Sequence, residues 1–571
     1  MKPDLDQSLV GILEPVFAIR TEDDLGVGDT EGVRQMIDWC HRHGLNVFQT
    51  LPINETGQDN SPYNAISSLA IEPSTMAISP GHLSDLSEDE FKKLATTELL
   101  TELRTGPVNY PKVKALKRTL LDAAFRNFFK HHFLEQTARA QAFQVFVAEN
   151  GSWLSDYAWF RVLMEENGNS AEWNRWPAGH KTPQASRVWL GSLPESRREE
   201  LRRKTLFFQY VQWIAFDQWL MVRKQANEKG VFLMGDIPFG VSRHSADTWA
   251  NPEFFDLEWS GGAPPETMFR VDDFTVKWGQ NWGIPLYRWD ELRRHDFRWW
   301  RTRIANICEI FHLYRIDHVL GFFRIYSFPW SPERNPEFVD LSEKEAAAKT
   351  KGRLPGFREF PDDTQEHKLT NQSQGEQLLR MVLDASADAT VIAEDLGTVP
   401  EYVPATLQRL GIPGFKIPLF LREHDWSFCD PKTYPRLSVA QPATHDHPPI
   451  AAVWADHWAK IDAGRNADHS RWDLKRIMWF AGLSGDDPPR EFTDQIHEAF
   501  TRVLLQSPSW LAVFQITDLF GQTDRFNIPG LTGASNWSHR LSHTVRELDL
   551  DPRLLSKTLM FSKLAAESGR S

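Results

Sequence analysis

Three acidic residues stand at the ends of three short apolar runs. They are Asp317 in LYRIDHVLG, Glu394 in VIAEDLGTV and Asp446 in VAQPATHDH. If these runs are strands of one parallel sheet, their ends deliver the three carboxylates to one place. Acid/base and nucleophilic chemistry at a sugar linkage requires such a set of carboxylates. The pattern therefore predicts an enzyme.

Arg315 precedes Asp317 by two residues. On an extended strand both side chains point to the same face. A guanidinium on that face keeps a carboxylate ionised and oriented, as a nucleophile requires. The alternative is a buried ion pair that only fixes the strand register. We favour the functional interpretation because a charged, proline-containing excursion follows this strand directly.

Glu394 and Asp395 are adjacent, so only one of them can face the same side of a strand. The residues alone do not say which. A general acid must hold a proton near neutral pH, and the apolar run before Glu394 favours a raised pKa there. We expect Asp395 to cap a helix that begins after Gly397.

The segment Thr444–His447 stops at two prolines, Pro448 and Pro449. Prolines end a strand ladder, so this segment is expected at a strand exit, where ligands bind in parallel barrels. A His-x-His pair, His445 and His447, could alternatively bind the metal of a metal-dependent hydrolase. Such sites need further ligands and an early strand, so we favour the interpretation without a metal.

Eight apolar, β-branched runs alternate with mostly helical sequence and predict a (β/α)8 TIM barrel of class α/β. We expect a single catalytic barrel over residues 1–571, with a mainly helical subdomain, 75–228, inserted between the second and third strands. A flap over 327–371 is expected after the fourth strand, with long loops over the C-terminal face. The runs begin at Leu9, Leu45, Val231, Leu313, Thr390, Gly414, Leu437 and Trp510.

Composition narrows the class of protein. The 571 residues are 41% hydrophobic and 25% charged, which is typical of a globular protein. A net charge of -13 without a Lys/Arg-rich run argues against nucleic acid and anionic membranes as partners. Three widely separated cysteines, Cys40, Cys308 and Cys429, suit a reducing cytosol. With neither a signal-like start nor a long apolar run, we expect a cytoplasmic protein.

The chain resembles the amylomaltase or disproportionating-enzyme family, the 4-alpha-glucanotransferases of glycoside hydrolase family 77. The likeness covers most of the chain, and the motifs occur in family order. They are SPYNAISSLAIEP (61–73), WLSDYAWF (153–160), GDIPFGVSRHSADTWANPEFF (235–255), GAPPE (262–266), WGQNWGIPLY (278–287), LYRIDHVLGFFRIY (313–326), AEDLGTVP (393–400), ATHD (443–446) and NIPGLTGASNW (527–537).

The resemblance implies a role for each acid. Asp317 would be the nucleophile and Glu394 the acid/base, while Asp446 would bind sugar hydroxyls and stabilise an oxocarbenium-like transition state. Arg315 would position Asp317, and His445 would support catalysis by hydrogen-bonding the bound sugar. The resemblance further implies substrate-binding roles for Tyr63, Asp236, Gln280, Asn281, Trp282 and His318. No metal or organic cofactor is implied.

Two departures from the family pattern stand near these motifs. Many members continue THD with Asn-Asp-Thr or Leu-Pro-Thr, whereas this chain has His447, Pro448 and Pro449. Many relatives carry Asp, Asn or Gly where this chain has His244. The shape of an acceptor subsite and the sugar contacts near His244 are therefore expected to differ.

The resemblance implies transfer of α-1,4-glucan segments between malto-oligosaccharides by a retaining double displacement through a covalent glycosyl-enzyme. Malto-oligosaccharides and α-1,4-glucans would be donor and acceptor. An α-1,4-glucan hydrolase with the same acids is the nearest alternative, because water exclusion by loops decides between the two. A non-catalytic glucan-binding protein is a third, less favoured because all three acids are present.

Overall fold

The computed structural model describes residues 1–57, 59–265, 272–529 and 536–570. Two motifs extend beyond these ranges. Glu266 of GAPPE and residues 530–535 of NIPGLTGASNW lie outside the described residues.

Within the described ranges, eight parallel strands close into a barrel in the order β1-β2-β3-β6-β9-β10-β11-β12, and β12 pairs with β1. The predicted (β/α)8 fold is confirmed, and each predicted run contains one barrel strand. The strands are β1 (Leu9–Leu13), β2 (Val47–Gln49), β3 (Phe232–Ile237), β6 (Leu313–Ile316), β9 (Thr390–Ala393), β10 (Gly414–Lys416), β11 (Ser438–Ala440) and β12 (Leu511–Gln515).

The apolar runs become strands because both faces of a parallel barrel are buried, one by the barrel interior and one by the helices. Every residue of β1, β3, β6 and β9 is buried. The register between neighbouring strands then determines where the site residues lie. Asp236 of β3 is opposite Arg315 of β6, and Ile316 is opposite Ala393 of β9. Asp317 and Glu394 therefore leave neighbouring strands at the same level.

A second, antiparallel sheet has the order β5-β4-β7-β8. It is built from β4 (Phe255–Ala263), β5 (Gln280–Tyr287), β7 (Ile325–Phe328) and β8 (Gly356–Arg358). The last two strands belong to the excursion that follows β6. This sheet carries Gln280, Asn281 and Trp282 on β5, which lies between β3 and β6 in the chain. The sheet therefore places these predicted substrate-binding residues beside the segment that follows β6.

Helices fill the connections between strands. The segment between β2 and β3 contains α2 to α8, and α8 ends at Lys229, with Gly230 as its C-cap at φ 69°. The helices are α1 (Thr30–Arg42), α2 (Glu88–Leu94), α3 (Thr97–Leu103), α4 (Tyr110–Phe128), α5 (Ala138–Glu149), α6 (Gly151–Glu166), α7 (Pro183–Ser192), α8 (Glu195–Lys229), α9 (Ala246–Ala250), α10 (Asp273–Trp278), α11 (Trp289–Arg294), α12 (Arg298–Ile310), α13 (Leu320–Phe323), α14 (Glu343–Lys349), α15 (Gln365–Ala385), α16 (Tyr402–Leu410), α17 (Ile450–Asp462), α18 (Ala467–Phe480), α19 (Asp494–Leu505), α20 (Ile516–Phe520) and α21 (Pro552–Glu567).

Candidate active site

Arg315 links two carboxylates at the C-terminal end of the barrel. Its Nη2 donates to Asp317 Oδ1 at 2.6 Å, and its Nη1 donates to Asp236 Oδ2 at 2.7 Å. The Arg315 side chain is 3% exposed, so these charge-assisted hydrogen bonds form away from water. Burial opposes the charge of the guanidinium, but the two carboxylates raise its pKa well above the ordinary value. Arg315 is therefore a fixed cation that orients Asp317.

Asp236 lies beneath this ion pair rather than at the open surface. Its side chain is fully buried, and its carboxylate accepts from Arg315 and, at 2.7 Å, from the Tyr63 hydroxyl. Burial raises the pKa of Asp236 to about 6, partly offset by Arg315. Both predicted substrate residues, Asp236 and Tyr63, thus contact the residue that holds Asp317.

Asp317 is the partly open member of the group, with 28% of its side chain exposed. Its backbone N–H still donates to Ile237 O at 3.0 Å, which continues the barrel ladder. The next residue, His318, has a positive φ of 43°, an uncommon and strained conformation for a residue with a side chain. The chain therefore turns sharply after Asp317 and leaves its carboxylate at the barrel mouth.

Glu394 forms a hydrogen bond with the backbone of this turn. Its Oε2 accepts from the His318 N–H at 2.7 Å, and its side chain is buried. Burial raises the pKa of Glu394 to about 8; Arg315 lowers it, and the negative charge of Asp317 raises it further. A carboxyl group with this pKa holds its proton at neutral pH, which is the state of a general acid.

Asp395 points away from Glu394, and its predicted capping role is wrong. Its Oδ1 accepts from the Phe415 N–H at 2.7 Å, on the neighbouring strand β10. The helix α16 begins later, at Tyr402, with Glu401 at its N-cap. A Cβ on Gly414 would lie 2.7 Å from the Asp395 carboxylate, so this glycine makes room for it. Asp395 ties two barrel strands together.

Asp446 approaches from the far side of the barrel. Its side chain is 38% exposed, and His445 Nε2 lies 3.3 Å from Oδ1. Asn527 Nδ2 donates to the same oxygen at 2.5 Å, while Arg525 Nη2 donates to the Asp446 carbonyl at 2.8 Å. Neutral donors therefore hold Oδ1 of Asp446, and its other carboxylate oxygen, Oδ2, stays available.

An aromatic stack joins the two sides of the mouth. The rings of Tyr63 and His445 are parallel within 9° at 5.0 Å, and Trp537 lies 5.9 Å from Tyr63 and 5.8 Å from His445. Burial, with a smaller contribution from Arg315, lowers the pKa of His445 to about 3. The imidazole is neutral at pH 7, so it can exchange hydrogen bonds with hydroxyl groups without adding charge.

The second sheet supplies an exposed indole to the mouth. Trp282 is 40% exposed, and its ring meets His318 edge-to-face at 4.8 Å. Its Nε1 donates to Gln280 Oε1 at 3.3 Å. Burial lowers the pKa of His318 to about 4, so this imidazole is also neutral at pH 7. An exposed ring face with amide and imidazole neighbours suits the mixed apolar and hydroxyl surface of a sugar.

Asn281 uses its amide within the protein. It accepts from Ser260 Oγ at 2.7 Å and donates to Trp330 O at 3.1 Å and to Asn335 Oδ1 at 3.0 Å. This residue therefore anchors the strand that presents Trp282.

His447 turns away from the stack that holds His445. Its Nδ1 lies 2.7 Å from Thr444 Oγ1, and its ring is 4.6 Å from that of Phe420. In the described part of the chain, no group of three or more His, Cys, Asp or Glu side chains is arranged to hold a metal ion.

Sequence reasoning assigned no role to Asn527, Arg525 or Trp537, which the structure brings to Asp446 and Tyr63. The sequence did contain a signal, because Asn527 and Trp537 are the first and last residues of the motif NIPGLTGASNW. Asn536 in the same motif donates to Asn527 Oδ1 at 2.7 Å and so fixes its amide. Asn527 and Asn536 of this motif thus fix the position of the third acid.

Comparisons with known proteins identify the family of this chain and its fold. The sequence model of a family described as 4-alpha-glucanotransferase matches residues 14–545. A 4-alpha-glucanotransferase of Chlamydia caviae is 30% identical over 553 residues, covering 94% of this chain and 91% of the relative. One from rice is 26% identical, covering 98% of this chain and 70% of the relative. An amylomaltase of Streptococcus agalactiae, solved with acarbose, has the same fold, with TM-score 0.75, 22% identity and coverage of 99% and 100%.

Proposed function

The chain belongs to the 4-alpha-glucanotransferase family, and we propose that it transfers α-1,4-glucan segments between malto-oligosaccharides through a covalent glycosyl-enzyme. One observation carries the mechanism: two carboxyl groups at adjacent strand ends sit in opposite environments. Asp317 faces a buried guanidinium at 2.6 Å, whereas burial raises the pKa of Glu394 to about 8. A nucleophile and a general acid need these opposite states.

In the first step, an Asp317 oxygen attacks the anomeric carbon of the donor. The bond from that carbon to the leaving glycosidic oxygen breaks, and Glu394 gives its proton to this oxygen. A glycosyl ester on Asp317 remains. The leaving sugar departs with a free hydroxyl group.

In the second step, Glu394 acts as a base. It takes the proton of an acceptor sugar hydroxyl, whose oxygen attacks the anomeric carbon and releases Asp317. Two inversions give net retention. Asp446 and the neutral His445 bind ring hydroxyls and favour the oxocarbenium-like transition state, and Trp282 stacks against a sugar in the mouth. No cofactor takes part in these steps.

The family assignment favours transfer over hydrolysis. Incubation with maltotriose distinguishes the two. A transferase forms glucose and longer chains while the number of reducing ends stays constant, whereas a hydrolase increases that number steadily.

Asp317→Asn tests the assignment of the nucleophile. Loss of glucose release from maltotriose is expected, because the amide is neutral and cannot form the glycosyl ester. Asp395→Asn is the matched control, since Asp395 accepts from the Phe415 N–H on the neighbouring strand and the oxygen of an amide can still accept there. Substantial glucose release by the Asp317 variant would contradict the mechanism.

We also propose a domain organisation for the chain. Residues 75–228 form a mainly helical subdomain on the barrel of residues 1–571, and residues 327–371 form a flap beside the mouth. The antiparallel pairing of β7 with β4 supports this position for the flap. Every helix among the described residues is too short or too polar to cross a membrane. A cytoplasmic location, with neither nucleic acid nor membrane as partner, is part of the proposal and is supported by the three unpaired cysteines.

A further inference from the structure

Tryptophan is mostly a core residue in this chain, which makes its exposed copies informative. Of the 23 tryptophans, all of which lie in the described ranges, four are large exposed residues. One is Trp282 in the site described above. The others are Trp426, Trp472 and Trp479, with exposed fractions of 59%, 52% and 49%. All three belong to the excursions between β10 and β12.

Trp472 and Trp479 form a pair on the outer face of α18. Their ring centroids are 6.0 Å apart and the rings are inclined by 56°. About half of each indole is open to solvent. Both rings therefore keep apolar surface available to a ligand. We call this pair the indole platform.

Neighbouring residues pack against both rings of the platform and fix their positions. Gly485, which is buried, packs against Trp479, and a Cβ at that position would lie 2.5 Å from the indole nitrogen. Lys475 Nζ lies 5.5 Å from the Trp472 ring centre. These contacts hold each ring on one side and lower the entropic cost of binding a ligand on the other.

The helix that carries the platform is connected to the active site. The excursion that contains Asp446 continues into α17. A short turn joins α17 to α18, and the two helices pack against each other as an antiparallel helical hairpin. The end of α18 therefore returns towards the end of the barrel where α17 begins. There, the ring centroids of Phe480 and Phe428 are 5.4 Å apart. A polymer on the platform would share this side of the barrel with the mouth.

From these features we infer that the indole platform binds an α-1,4-glucan chain outside the catalytic mouth, an inference that rests on the proposed function. Indole rings stack on the C–H faces of sugars. Successive glucose faces of a curved α-1,4-glucan are inclined to one another, as these two rings are.

A second copy of the chain fits the platform less well. Two indoles of up to about 250 Å² each, half exposed, offer roughly 250 Å² of surface. A stable interface buries about 800 Å² per partner. Charged side chains, including Arg471 and Lys475, also surround the rings. The available area suits a few sugar units.

Affinity electrophoresis in gels that contain amylose tests the inference. All variants carry Asp317→Asn, so the polymer is not consumed. Trp472→Ala/Trp479→Ala is expected to weaken retention at least about tenfold, equivalent to about 1.4 kcal/mol. Gly485→Ala should weaken retention while both rings remain, because it displaces Trp479. Leu559→Ala, which removes an exposed residue of α21, should leave retention unchanged.

Retention of the double variant at the parent level would overturn the inference, as would full retention by Gly485→Ala. A dimer that disappears in the double variant while amylose retention stays unchanged would assign the rings to contacts between copies. In the active enzyme, the kcat/KM ratio of amylose to maltotriose should fall about tenfold in the double variant. Absence of maltotriose transfer in the unmodified enzyme would instead contradict the proposed function.

Discussion

Replacing Glu394 by Gln should stabilise the protein at alkaline pH while it removes activity. Burial moves the pKa of Glu394 from 4.5 to about 8. Below pH 4.5 the group is protonated in the folded and the unfolded chain, so the stability it contributes is fully present. As pH rises from 4.5 to 8, the unfolded chain ionises first and the folded state loses stability relative to it.

The size of this loss follows from the same values. At about 1.36 kcal/mol per pH unit, the penalty above pH 8 reaches an upper limit of about 5 kcal/mol. Gln keeps an oxygen that accepts from the His318 N–H but cannot ionise. The variant should therefore be within about 1 kcal/mol of the parent near pH 5 and exceed it by up to several kcal/mol near pH 8.5.

Chemical unfolding of both proteins at the two pH values measures this difference. Other buried acids, including Glu14 and Asp518, titrate in both proteins, so their contributions cancel in the comparison. Glu228→Gln on the exposed surface of α8 is the matched control and should give equal stability changes at both pH values. A stability gain for Glu394→Gln that does not depend on pH would refute the reasoning.

Three further outcomes are expected. The kcat/KM for maltotriose should fall above about pH 8 in the unmodified enzyme, because Glu394 then loses the proton it donates; a flat rate through pH 9 would contradict this role. Tyr63→Phe removes a 2.7 Å hydrogen bond to Asp236 and should lower kcat/KM about five- to tenfold, for a loss of about 1 kcal/mol. Tyr434→Phe is its control, because that buried hydroxyl has no partner among the described residues. Asn527→Ala removes the 2.5 Å hydrogen bond to Asp446 and should lower kcat by at least about tenfold with circular dichroism unchanged; unchanged kcat would remove Asn527 from the site.

Much of the fold could be predicted from the sequence, because strand formation here depends on local pattern. Apolar, β-branched runs separated by helical sequence permit a closed parallel barrel, and each predicted run contains a barrel strand. The spacing of Arg315 and Asp317 predicted a shared face, and the 2.6 Å hydrogen bond agrees with it. Both features depend on neighbours a few residues apart in the chain.

Other features required contacts between distant segments. Asp236 and Tyr63 are 173 residues apart, and only the closed barrel places both against Arg315. Asp395 was expected to cap a helix, but strand pairing puts Phe415 N–H within 2.7 Å of it.

The sequence by itself determined the strands, the three acids and the family to which the chain belongs. The tertiary structure decided which acid holds a proton, because the pKa of Glu394 depends on burial and on the charge of Asp317. It also separated the four exposed tryptophans from the buried ones, although all are the same residue type. Local pattern specifies elements, whereas burial and electrostatic environment exist only once distant parts of the chain have packed together.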